Sequence, residues 1–270
     1  MKLLVIRHGT PNYEKDCLTD RGRQEAELLA ERLLKEDIAA VYTSPMGRAR
    51  ETAGAYTRRS GHEAVVCNWL HEFDVSINDL STGKPRQVVT WDMPPEVWTK
   101  SELLYDRLDY GKAPETFGTD MFPRAEAVRV GLDELLARHG LIREGGAFRK
   151  EGNTDVTLAL FCHFGAGCVV IAQLLGLSPM LTLQGLSADP TAIATLCTDD
   201  RFDRIVNFRL HGYGDTYHLG AGTESGGVNY KYPPPHNGCY LCSLQYSFLC
   251  PAASGLFLCA FFTKKRVGFC

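Results

Sequence analysis

Leu3-Leu4-Val5-Ile6-Arg7-His8-Gly9 opens the chain with a short apolar run that stops on an arginine, a histidine and a glycine. The pattern recurs at Leu158-Ala159-Leu160-Phe161-Cys162-His163, followed by Gly165 and Gly167. Short apolar runs of this kind, β-branched in part, read as buried central strands. Each delivers a histidine to a strand end with glycine beside it. Strand ends of an open α/β sheet are where ligands bind. Two histidines with arginines suit a phosphoryl group there.

Working outward from the first run, Thr10-Pro11-Asn12 reads as a loop and Thr19 as a helix N-cap. Ala26, Leu29, Ala30, Leu33 and Leu34 then follow the i, i+3, i+4, i+7, i+8 spacing of an amphipathic helix. Ala39–Thr43 reads as a second strand. Ser44-Pro45 predicts the next helix start, with Ser44 as cap and Pro45 in the first position. That helix is expected to run to about Arg58 and stop at Gly61. Val65–Cys67 reads as a short third strand.

Residues 73–122 carry Trp91, Trp98, Tyr105, Tyr110 and Pro94-Pro95 without a sustained period. They read as an insertion of short helices that covers a site. Arg124–His139 is expected to be a helix, with Ala125, Val128, Val130, Leu132, Leu135 and Leu136 on its apolar side. Leu158–Phe161 and Gly165–Leu175 read as strand and helix. Ile193–Cys197 and Ile205–Leu210 read as two closing strands. Alternating strands and helices predict an α/β fold with a mostly parallel sheet.

The 270 residues are 44% hydrophobic and 23% charged, an ordinary globular composition with length for a sizeable core. The net charge of −3, without a basic block in the body of the chain, does not suggest nucleic-acid binding. The first apolar run is interrupted by Arg7-His8 and lacks a cleavage pattern, so it does not read as a signal peptide. Of ten cysteines, Cys17, Cys67, Cys162, Cys168 and Cys197 are scattered and read as reduced thiols of a cytoplasmic enzyme. The other five crowd together from Cys239 to Cys270.

A phosphomonoester is a dianion, so a nucleophile approaching it needs cations around the phosphoryl oxygens. Arg7 stands beside His8 at a strand end. Arg48 falls in the first turn of the expected helix, where free N–H groups and the dipole also favour an anion. Arg48 and Thr52 share a face, while Arg50 lies about 200° away from Arg48. Arg48 is therefore the better ligand. Glycines at 165 and 167 would let backbone N–H groups approach an oxygen.

Arg7-His8-Gly9, Leu18-Thr19 leading to Gly22, Ser44-Pro45-Met46-Gly47-Arg48-Ala49 and the strand-end His163 together resemble the histidine phosphatase superfamily, the phosphoglycerate mutase-like family. The resemblance covers roughly residues 1–220. It implies a three-layer α/β/α sandwich with a mostly parallel central sheet. It also implies His8 as a nucleophile that forms a phosphohistidine, and His163 as the second histidine, a donor and cation toward the phosphoryl oxygens. Glu72 stands where many relatives carry an acid that protonates the leaving alcohol, with Asp74 as a nearby competitor. Gly9, Thr10, Asn12 and Gly165 are the further candidate phosphate contacts, although the loop after Gly9 is shorter than in many relatives.

The expected activity is hydrolysis of a small-molecule phosphate monoester with no cofactor and no metal. Cys162, His163 and Cys168 lack a usual zinc spacing. The alternatives are mutase-type phosphoryl transfer and a non-catalytic phospho-ligand module. The insertion lacks the basic Asn-Glu-Arg-type stretch of those mutases, which favours hydrolysis. His62, His71, His139, His211, His218 and His236 read as surface or polar-core residues, with His71 also able to line the pocket. Trp91 and Trp98 read equally as insertion core or pocket wall.

From about residue 219 the character changes. Residues 221–270 form an atypical Gly-, Pro- and Cys-rich tail, expected to be poorly packed. Residues 240–263 carry no charge and precede Lys264-Lys265-Arg266. A bilayer span needs about 20 apolar residues. Gln245, Pro251 and several serines make 240–263 a weak tail-anchor candidate, so a membrane partner is not expected.

Overall fold

The computed structural model describes residues 1–82, 86–201 and 204–220, and the 221–270 tail with its anchor candidate lies outside them. All described residues belong to one unit, Met1–Asn229. Its centre is a sheet of six strands: β1 (Lys2–Arg7), β2 (Ile38–Thr43), β3 (Ala64–Val66), β4 (Thr157–Cys162), β5 (Ile193–Thr198) and β6 (Phe208–Asp215). Their spatial order is β6-β5-β1-β4-β2-β3. The pairs β1–β4, β4–β2 and β2–β3 are parallel, whereas β5 runs antiparallel to both β1 and β6.

The helices are α1 (Asp20–Leu33), α2 (Gly47–Ser60), α3 (Met121–Arg138), α4 (Phe164–Leu175) and α5 (Pro179–Gly185). Side chains alternate across a strand, and both faces of β1 are apolar. Leu4 and Ile6 pack with Leu29 and Leu33 of α1 and with Ala53 and Tyr56 of α2. Leu3 and Val5 pack in the opposite core with Leu132 and Leu135 of α3 and with Val169 and Val170 of α4. Burial on both faces explains why β1 and β4 are continuously apolar rather than alternating. The result is the expected three-layer α/β/α sandwich.

Thr19 caps α1 as expected, its hydroxyl accepting from the Gly22 amide. The start of α2 differs from expectation. The helix begins at Gly47 with Met46 as its cap residue, and Ser44 and Pro45 lie outside it. The reason is chemical: the Ser44 hydroxyl is held by His163 Nε2 at 2.7 Å and accepts from the Met46 amide. The hydroxyl thus makes a cap-like bond to Met46 while also meeting His163, and the regular helix starts only at Gly47.

The second closing run, Ile205–Leu210, divides. Ile205–Val206 pairs with Ala147–Lys150, in a small sheet completed by Leu141–Glu144, and only Phe208 onward joins the main sheet. Val130 is exposed, because α3 buries the Val128, Leu132 and Leu135 side instead. The insertion holds the short helices Pro95–Trp98 and Glu102–Tyr105. It also holds a hairpin, Ser76–Asp79 with Arg86–Val89, that hydrophobic periodicity did not reveal.

Candidate active site

β1 and β4 lie side by side in parallel with Arg7 opposite Cys162, so the next residues, His8 and His163, emerge together. Their ring centroids are 5.1 Å apart. Both histidines are buried. His8 is held from both sides, its amide donating to the Cys162 carbonyl at 3.0 Å and its carbonyl accepting from the Thr191 amide at 3.1 Å. Its Nδ1 lies 2.7 Å from the Gly9 carbonyl, which can only accept, so Nδ1 carries the proton. Nε2 then presents a lone pair and accepts from Arg48 Nε at 3.2 Å. Burial, with Arg7 and Arg48 adding positive charge nearby, lowers the His8 pKa to about 3.

Arg48 enters from the first turn of α2 and is buried, while Arg50 points outward. Its guanidinium is fixed by a residue that the pattern of the sequence did not single out. Asp16 accepts from Arg48 Nη1 at 2.6 Å through one oxygen and from the Gly47 amide at 2.7 Å through the other. Burial opposes charge on Asp16, but the Gly47 amide and Arg48 outweigh it and hold its pKa below the usual carboxylate value. A carboxylate at a helix N-terminus is favourable in its own right. The only sequence signal was an acid in the loop preceding the Thr19 cap. Ser44 was also missed as a site residue, its hydroxyl having been assigned to helix capping.

His163 bonds Ser44 through Nε2, while its Nδ1 is buried without a partner. Burial, then Arg48 and His8, lower its pKa to about 2, which keeps the ring neutral. Arg7 donates through Nη1 to the Ala188 carbonyl and lies 5.9 Å from the Phe164 ring centroid. Its Nε is buried and unpartnered. The neighbourhood of His8 thus holds two buried polar atoms without partners. Burying such atoms unsatisfied is costly.

Glu72 reaches the same place from beyond β3. Its Oε1 accepts from the Phe73, Gly165 and Ala166 amides at 2.8, 3.0 and 3.3 Å. Burial raises its pKa despite these bonds, which act the other way. Asp74, two residues on, is exposed. Arg124 of α3 donates to the Glu72 carbonyl at 2.9 Å, and His71 Nδ1 lies 3.1 Å from the same oxygen.

The remaining candidates have other partners. The Thr10 amide and hydroxyl both donate to Glu25, so Thr10 is not presented to the site. Asn12 accepts from the Lys15 amide through Oδ1, in a ribbon paired with Cys17. The Gly9 amide donates to Thr52 Oγ1, and a Cβ at Gly9 would lie 2.6 Å from the Gly22 carbonyl oxygen. Gly165 gives its amide to Glu72, and a Cβ there would lie 2.7 Å from the Trp91 ring. These two glycines serve close backbone packing. Trp91 walls the site, 5.6 Å from Phe164 between centroids, whereas Trp98 packs on Tyr105 within the insertion.

Two clefts share Arg124 in their walls, and neither is lined by Glu72, His8, Arg7, Arg48 or His163. One, of about 670 Å³, is lined by Pro45, Trp69, His71, Phe73, Arg124 and Val128 among others. The second, of about 430 Å³, is polar and includes Asp74, Ser76, Asn78, Gln87, Asp120 and Arg124. Among the described residues no group of three or more His, Cys, Asp or Glu side chains is placed to hold a metal ion. No helix there is long and apolar enough to cross a membrane.

Comparison with known proteins agrees with this architecture. A probable phosphoglycerate mutase GpmB from Photorhabdus laumondii is 26% identical over 156 residues, 52% of this chain and 70% of that protein. The corresponding protein of Proteus mirabilis is 25% identical over 51% of this chain and 64% of its own length. A probable phosphatase of Schizosaccharomyces pombe is 40% identical over a shorter stretch, 24% of this chain and 36% of that protein. Among solved structures, phosphoserine phosphatase from Entamoeba histolytica superposes with a TM-score of 0.53 at 20% identity, covering 81% of this chain and 98% of that one. A mycobacterial glucosyl-3-phosphoglycerate phosphatase gives 0.53 at 20%, covering 79% and 98%. Residues 3–102, which carry Arg7-His8-Gly9, Arg48 and Glu72, match the sequence profile of the histidine phosphatase superfamily (branch 1).

Proposed function

We propose that the protein is a phosphomonoesterase that works through a phosphohistidine on His8. The observation that carries this reading is the neutral His8 ring, Nε2 lone pair inward, flanked by Arg48 and by the unpartnered Arg7 Nε and His163 Nδ1. Phosphoryl oxygens would give both orphaned atoms partners, provided Ser44 donates to His163 Nε2 so that Nδ1 carries the proton. In the first step Nε2 bonds to phosphorus as the ester P–O bond breaks. Glu72, its pKa raised by burial, gives its proton to the departing alkoxide. In the second step water attacks phosphorus, Glu72 takes the water proton and the P–N bond breaks, which restores neutral His8. Glu72 is favoured over Asp74 by its contact with Gly165, next but one to His163. Thr10, Asn12, Gly9 and Gly165 have no part in this phosphate shell.

The similarity to GpmB proteins supports a second reading, phosphoglycerate mutase-type transfer. Against it stands the insertion at residues 73–122, which lacks a basic Asn-Glu-Arg-type stretch to receive a carboxylate-bearing substrate. A phosphomonoester panel assayed for inorganic phosphate tests the proposal. Wild type should release phosphate and trap label on His8, and His8→Ala should lose activity by about 10³-fold or more. Interconversion of phosphoglycerates without net phosphate release would favour the mutase; no labelled histidine in rapidly quenched wild type would sink the covalent mechanism.

A further inference from the structure

The loop that holds the His8 carbonyl contains an unusual residue. Thr191 is fully buried and sits at φ 60°, left-handed backbone that a β-branched residue rarely adopts. From that conformation its amide donates to the His8 carbonyl at 3.1 Å. Strain of this kind persists only where surroundings enforce it. Part of the enforcement is visible in the Thr191 hydroxyl, which donates to the Pro190 carbonyl at 2.7 Å and lies 3.0 Å from His218 Nε2.

The direction of each bond follows from the chemistry. Arg32 of α1 is locked on Asp215 of β6 by bonds of 3.0 and 2.5 Å. Its Nη1 also faces His218 Nδ1 at 3.5 Å, a long contact in which arginine can only donate. Nδ1 is therefore the accepting nitrogen and Nε2 carries the proton. Burial, then the charge of Arg32, lowers the His218 pKa to about 4, which keeps the ring neutral in this tautomer. The Thr191 hydroxyl, its proton given to Pro190, accepts from Nε2–H. The chain runs from Asp215 and Arg32 through His218 and Thr191 to the backbone of His8.

We propose that His218 is a positioning residue for His8: its Nε2–H fixes Thr191 in the left-handed conformation whose amide anchors the His8 carbonyl. This rests on His8 being the nucleophile. His218 touches neither His8 nor the phosphoryl site, so its effect belongs to the alignment of Nε2 with phosphorus. A small misplacement of a nucleophile is costly because attack requires near-linear approach.

The test compares His218→Gln, whose amide nitrogen can reproduce the Nε2 donor, with His218→Asn, whose amide is too short. Single-turnover phosphorylation by p-nitrophenyl phosphate, KM, melting temperature and hydrogen exchange of the Thr191 amide are measured in the full chain. In His218→Asn the phosphorylation rate should fall about tenfold with KM unmoved, and Thr191 exchange should quicken. His218→Gln should recover the rate to within about twofold of wild type. An unchanged rate in folded His218→Asn overturns the proposal. So does an equal loss in both variants that tracks melting temperature, since that is a purely structural role. If wild type proves inactive on every ester, the phosphatase reading fails. Thr191 exchange then decides the anchoring: unaltered exchange in His218→Asn overturns it, and faster exchange restored by His218→Gln upholds it.

Discussion

At the scale of single residues, the protonation state of His8 bears on the proposed chemistry and on acid sensitivity. With its pKa near 3, the imidazole is neutral through the whole working range and needs no base to prepare it. An NMR titration of the His8 ring should therefore show no midpoint near 6.5 between pH 8 and pH 5; half-protonation there would contradict the buried, cation-flanked site. The sign for stability follows. The unfolded chain binds protons to His8 and His163 below about pH 6.5, while the folded protein does not until about pH 3 and 2. Their contribution is complete above 6.5 and is lost as pH falls toward 3. The melting temperature should drop steadily across that window. Asp16 offers a second residue-level test. Asp16→Asn keeps the size but loses the charge on Arg48, and should lower kcat about tenfold while costing under about 1 kcal/mol of stability by denaturant unfolding.

At the scale of elements, the site is assembled by helix starts meeting strand ends. The N-terminus of α1 touches the loop after His8 directly: a Cβ at Gly22 would lie 2.2 Å from the Thr10 carbonyl oxygen. Gly22→Ala must push that loop away and should cost about 2–3 kcal/mol, read as a lower denaturant midpoint with little change in slope. The sequence marked these elements well where a single physical signal ruled. Apolar runs gave β1 and β4, and Thr19 gave the start of α1. It set the start of α2 too early, at Ser44-Pro45, because local rules favour a serine cap there and do not foresee that the hydroxyl also meets a histidine 119 positions away. It was silent on the Ser76–Asp79 hairpin, because those strands are partly exposed and lack a clean alternation.

At the scale of the whole molecule, β6 is the last strand of the sheet among the described residues, and the Tyr217–Leu219 turn packs its histidine on Thr191. A chain ending at residue 221 is accordingly expected to fold and retain activity. Loss of the cooperative melting transition on truncation would show that the tail belongs to the domain. The sequence by itself determined the α/β class, the two strand-end histidines and the choice of Arg48 over Arg50. Those depend on short-range periodicity, which a one-dimensional pattern records. Only the tertiary structure decided that β1 and β4 are neighbours, so that His8 and His163 face each other at 5.1 Å. It alone also turned Thr10 to Glu25, brought Asp16 to Arg48 and tied His218 to Thr191. Each of these is a bond between groups distant along the chain. Its existence is settled by which strands pair and how closely the backbones approach, and no local propensity encodes that.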